Sequence, residues 1–196
     1  MSNIPNKPNK PNQPKSGNNQ PVSPKKNITT ANSTTNNSQS AKTNQDIVKQ
    51  IKDTIQSDEC KSLKDYPIKT LIKQAEDFGY YLKTQKLETN QIRKFLDAIN
   101  QFKSRLAQED DDTIKQAKTE VEKDKLRFAR IGDELVFLKV KLTWSAARQK
   151  AAIPFKEVMS VAIDKVYSTK DFERLVQFIE SIIAYHKEAE QKKYRG

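Results

Sequence analysis

The chain has 196 residues, with 36 Lys or Arg against 25 Asp or Glu, for a net charge of +11 at neutral pH. A single cysteine and a single histidine exclude an internal disulfide, a thiolate zinc cluster within one chain and any His-pair metal motif. No stretch reaches the roughly 18 apolar residues of a membrane span, so a soluble cytoplasmic protein with no membrane partner is expected.

Residues 1–45 hold six of the eight prolines, many Asn, Ser, Thr and Gln, and no aromatic residue. Such a segment buries too little apolar surface to offset chain entropy and predicts a disordered tail. It lacks the apolar central run of a signal peptide. Its lysines, Lys7, Lys10, Lys15, Lys25, Lys26 and Lys42, face no acid. The tail therefore carries +6, while 30 basic and 25 acidic side chains leave the domain at 46–196 only mildly basic. A tail of this kind suits either a weak anchor for a polyanion or a soluble tether.

The domain predicts helices in succession. Ile47, Val48, Ile51 and Ile55 form a first stripe. Pro67 precedes Ile68, Leu71, Ile72, Ala75 and Leu82, at a position that suits a helix start. Thr89 is a candidate N-cap for a helix with Ile92, Phe95, Leu96, Ile99, Phe102 and Leu106 on one side. The acidic run 109–112 fits a loop whose charge favours the next helix start; three adjacent Asp cannot all face one metal ion. From Thr113 to Phe128 a polar helix carries a thin stripe of Ile114, Ala117 and Val121.

Leu138 to Trp144 alternates apolar and polar, as a half-buried strand would. A lone strand among helices has no ladder partner, and its unpaired backbone groups would be costly, so 134–150 is predicted as a helix. Leu135, Leu138, Leu142 and Ala146 make one stripe; Val136, Val140 and Ala147 make another, with Phe137 and Trp144 beside it. Apolar on most sides, this helix is expected at the centre of the fold. Lys141 and Arg148, seven apart, share one edge; Lys139 and Lys150, eleven apart, share another. Both snorkelling cations and phosphate-binding seams fit that placement.

Pro154 opens a helix with Phe155, Val158, Met159, Ala162, Ile163 and Val166. Ser168 to Asp171 has the form of a capping box with Asp in place of Glu. Phe172, Leu175, Val176, Ile179, Ile182, Ile183 and His186 follow at threes and fours, which predicts a packed histidine. With Gly79 and Gly132 as the only internal domain glycines, no phosphate-binding loop can be built. Arg174 stands twelve residues before His186, too far for the Arg-His pairing of helical ribonucleases. The expectation is an all-α protein, a compact helical bundle of about five or six helices behind a disordered tail, with no catalytic residue, no metal and no cofactor.

Three blocks in order, Leu87–Leu106 ("LETNQIRKFLDAINQFKSRL"), Leu138–Lys150 ("LKVKLTWSAARQK") and Pro154–Lys187 ("PFKEVMSVAIDKVYSTKDFERLVQFIESIIAYHK"), resemble the small subunit of the type III-A CRISPR-Cas effector, the Csm complex. They cover about a third of the chain. The long tail and the enlarged loop and polar helix at 109–133 depart from the family pattern. So do Trp144, where Tyr is often found, and Ala147, where Gly is often found. The resemblance implies a non-catalytic structural subunit that acts in antiviral defence. Several copies would stack beside the backbone and large subunits, along the channel where guide RNA pairs with target RNA. Such a subunit would touch RNA backbone rather than bases. The implied RNA-binding residues are Gln91, Arg93, Lys94, Lys139, Lys141, Arg148, Lys150 and Lys187, with Arg148 foremost because a guanidinium grips phosphate with two donors. The equivalent subunit of a related type III complex, or a helical protein-protein adaptor with a basic anchoring tail, are the competing expectations.

Overall fold

The computed structural model describes residues 36–192, with side chains from Asp46 onward. Eight α-helices follow one another: α1 (Asn36–Gln56), α2 (Ile68–Thr84), α3 (Thr89–Leu106), α4 (Asp112–Lys115), α5 (Glu120–Ala129), α6 (Gly132–Arg148), α7 (Ile153–Ile163) and α8 (Thr169–Lys192). Single 3-10 turns lie at Leu63–Asp65 and Lys150–Ala152, and among the described residues there is no strand. The all-α expectation holds, with more helices than the five or six anticipated. The polar stretch after the acidic run is not one helix. Thr119 forms a capping box with Glu122 that restarts the chain as α5. α1 begins at Asn36 and so takes in residues 36–45, which composition assigned to the tail; extending an established helix costs far less than nucleating one. The rest of that expectation, residues 1–35, lies outside the described residues.

Helix α8 is the axis of the fold. Phe172, Leu175, Val176, Phe178, Ile179, Ile182 and Ile183 are all buried along it. α2 packs along α8 over most of its length, α3 packs beside it, and α7 bridges α1 and α6. Gly79 sets the α2–α8 distance. A Cβ there would meet the His186 backbone nitrogen at 2.9 Å and the Ile182 carbonyl oxygen at 3.0 Å. Only a residue without a Cβ permits that approach. Phe178, fully buried, meets Tyr66 edge-on with ring centroids 5.6 Å apart.

The polar groups that enter this core are bonded. Asp171 is 1% exposed. It accepts from the Lys64 amide at 2.8 Å, the Tyr167 amide at 3.1 Å and the Ser168 hydroxyl at 2.7 Å. Ser168 accepts in turn from the Asp171 amide at 3.2 Å, which is half of the expected capping box; the carboxylate takes the Tyr167 amide in place of the Ser168 amide and ties the 3-10 turn at Leu63 to the start of α8. Burial opposes ionisation of Asp171, but these donors outweigh it and hold the carboxyl below its usual range. His186 is fully buried, as the stripe predicted. Its Nε2 lies 2.9 Å from the Leu87 carbonyl and its Nδ1 3.0 Å from the Thr89 hydroxyl. The carbonyl can only accept, so Nε2 donates and Nδ1 accepts from Thr89. Thr89 therefore does not cap α3. Thr89 is instead the first helical residue, with its hydroxyl used across the bundle, and Glu88 stands at the cap position without a side-chain bond.

Candidate nucleic-acid interface

α6 is a helix, and the alternation in its sequence has a geometric cause. Leu135, Leu138 and Leu142 point inward, whereas Val136, Phe137, Val140 and Trp144 lie on the open side. Where the two stripes interleave, a helix imitates a period of two. The expectation of a central helix is thus corrected. α6 lies at the edge of the bundle, since only its leucine stripe has a neighbour to pack on, and Trp144 is 69% and Phe137 58% exposed. Asp133 and Glu134 in its first turn and Arg148 in its last suit the helix dipole.

Between α6 and α3, with α7 behind, runs a groove of about 460 Å³. Its floor is apolar: Leu87, Ile92, Phe95, Leu138, Leu142 and Phe155, with the rings of Phe95 and Phe155 perpendicular and 5.5 Å apart. Lys94 from α3 and Lys141 and Arg148 from α6 stand on its rim. None of the three has a carboxylate within ion-pair distance among the described residues. The acid on the same edge of α6, Glu134, is held by Arg105 of α3, and that bond keeps its carboxyl ionised below the usual range. At one end of the groove the Gln91 side-chain amide donates to the Gln149 side-chain carbonyl, leaving the Gln91 Oε1 buried without a partner. The groove therefore offers fixed positive charge, an amide pair and an apolar floor, and no acid on its rim.

Four of the sequence-predicted residues, Gln91, Lys94, Lys141 and Arg148, come together here. The others do not. Arg93 is exposed on α3 beside Lys94 but outside the lining. Lys139 turns away and pairs with Asp164 at 2.6 Å, closing the α6–α7 corner. The shared edge of Lys139 and Lys150 is absent: α6 ends at Arg148, Gln149 is extended (φ −139°, ψ 109°), and Lys150 opens a 3-10 turn. Lys187 is exposed on α8 and does not line the groove. Sequence reasoning missed Gln149, whose only signal was its place beside Arg148 at a helix end. Arg174 Nη1 on α8 is also buried without a partner, and nothing in the structure explains it.

The acidic run is used internally. Asp110 takes both branches of Arg127, at 2.9 and 2.6 Å. Asp111 caps α4 by accepting from the Ile114 amide at 3.0 Å and also faces Arg130. Among the described residues no three metal-ligating side chains lie together, and no helix is long and apolar enough to cross a membrane.

These features define a class: a small helical bundle closed along α8, with an open face where cations that have no ion-pair partner among the described residues ring an apolar groove. The particular family follows from comparison with known proteins. The Csm2 Type III-A family model matches residues 65–192, well over half of the chain, and the protein belongs to that family, the small subunit of the type III-A Csm effector. No curated protein and no solved structure matches it.

Proposed function

We propose that the protein is a non-catalytic structural subunit that stacks in several copies along the guide–target RNA channel of a type III-A effector in the cytoplasm. It holds RNA by backbone contacts and serves antiviral defence. Its partners on this reading are guide RNA, target RNA, other copies of itself, and the backbone and large subunits. The observation that carries the reading is the convergence of Lys94, Lys141 and Arg148 on one face, from two helices and, among the described residues, with no carboxylate within ion-pair distance, in a chain of the small-subunit family. A subunit repeated along an RNA needs a few fixed cations per copy, since each phosphate neutralised releases counterions and the copies sum. Arg93, Lys150 and Lys187 remain secondary contacts on this reading, and Lys139 serves the α6–α7 corner instead.

A tagged pull-down from the native cells, with sequencing of bound RNA, tests this. Short RNAs sharing one common end, together with several stoichiometric protein partners, are the expected recovery. Recovery of a single protein partner and no RNA would instead establish a helical adaptor.

A further inference from the structure

The cations of α6 do not stand alone. Phe137, Lys141, Trp144 and Arg148 are spaced by four, three and four residues, so each is a surface neighbour of the next. The two aromatics form a row beside the two cations, on the side away from the groove. Trp144 at 69% and Phe137 at 58% exposure are the largest apolar side chains left open on this helix. A face that only gripped phosphates would have no use for them, and exposed rings of this size mark a binding surface. The remaining charges of the edge lie at its other end: Asp133 and Glu134 are in the first turn, and Glu134 is engaged by Arg105. From Phe137 to Arg148, about three turns, the edge is therefore both aromatic and cationic.

We infer that this edge of α6 is a stacking platform for unpaired RNA bases, with Trp144 and Phe137 taking base faces while Lys141 and Arg148 hold the phosphates between them. The inference rests on the proposed RNA-contacting role and adds to it the state of the strand. Bases inside a duplex are already stacked and cannot lie on a protein ring, whereas an unpaired strand presents them. The two rings start from Cα positions about 10 Å apart along the helix axis, too far to sandwich one base and suited to two bases of an unwound strand. The competing occupant is a second copy of the chain, because Val136 and Val140 extend the apolar surface beyond the aromatics.

Trp144 is the only tryptophan of the chain, so its fluorescence reports the event directly. The experiment titrates the full chain with an unstructured RNA oligonucleotide and with the same oligonucleotide annealed to its complement. Anisotropy of labelled RNA provides the affinities of the variants. The single strand is expected to quench Trp144 and the duplex to leave it nearly unchanged. Trp144→Ala and Phe137→Ala should each weaken single-strand binding at least about fivefold and leave duplex binding alone, while Trp144→Phe retains most of the affinity. Equal single-strand affinity for wild type and Trp144→Ala, with Arg148→Glu still weakening binding, would overturn stacking and leave the phosphate reading intact. Absence of any RNA binding by the wild type would overturn both. Concentration-dependent self-association lost in Trp144→Ala, without quenching by RNA, would assign the face to a neighbouring copy instead.

Discussion

Along α8 the apolar side chains go inside, and the two titratable groups that go with them, Asp171 and His186, find donors and acceptors from the 3-10 turn, α3 and the chain before it. Along α6 only the leucines go inside; Phe137 and Trp144 stay out, and Lys141 and Arg148 beside them have no ion-pair partner among the described residues. The two helices are similar in composition and opposite in use. The difference teaches where to look for function in a protein without a catalytic cluster. Buried groups that find hydrogen-bond partners, as Asp171 and His186 do, mark the part that holds the fold, and exposure without partners marks the part that meets something else.

The contrast can be broken first on the α8 side. Phe178→Ala should cost about 3–5 kcal/mol of stability, read as a fall in the urea midpoint, because the fully buried ring leaves a cavity against Tyr66. Gly79→Val should cost roughly 3 kcal/mol by the same measurement, since its Cβ would press on backbone atoms of α8 that cannot rotate aside. Smaller, and dependent on pH, is the effect of His186. Burial lowers its pKa below the ordinary 6.5, so the unfolded chain takes up a proton that the folded chain refuses. Stability should be level near neutrality and fall as pH drops below 6.5, with a further loss below about 3.8, where the unfolded chain's Asp171 takes up a proton that the depressed carboxyl of the folded chain refuses. His186→Gln should remove the first step and keep the second. On the α6 side Trp144→Ala and Phe137→Ala should move the urea midpoint by no more than about 0.5 kcal/mol equivalent. A large loss there would show that those rings belong to the core and that the contrast is false.

Much of this was legible in the sequence because helical periodicity reports burial. The stripe through Phe172, Ile179 and His186 predicted a packed histidine, and Ser168 with Asp171 announced the start of α8. Periodicity fails where it reports only that a residue is apolar and not whether a neighbour exists to cover it. That is why α6, apolar on two faces, suggested a central helix. Composition likewise could not say that Lys139 would be taken by Asp164, twenty-five residues on, while Lys141 would stay open. Thr89 shows a third limit: a hydroxyl that suits a local cap was used for a long-range bond to His186. The groove needed tertiary structure, since Lys94 and Arg148 come from helices far apart in the chain.

The most direct test of the central claim is the salt dependence of RNA affinity, measured for the full chain and for the double variant Lys141→Glu, Arg148→Glu. Removing one cation from a phosphate should make the log–log slope shallower by about one, so the double variant should bind more weakly and with a slope reduced by about two, at an unchanged urea midpoint. The same affinity and the same slope in both proteins would contradict the claim that the open face of α6 is where RNA is held.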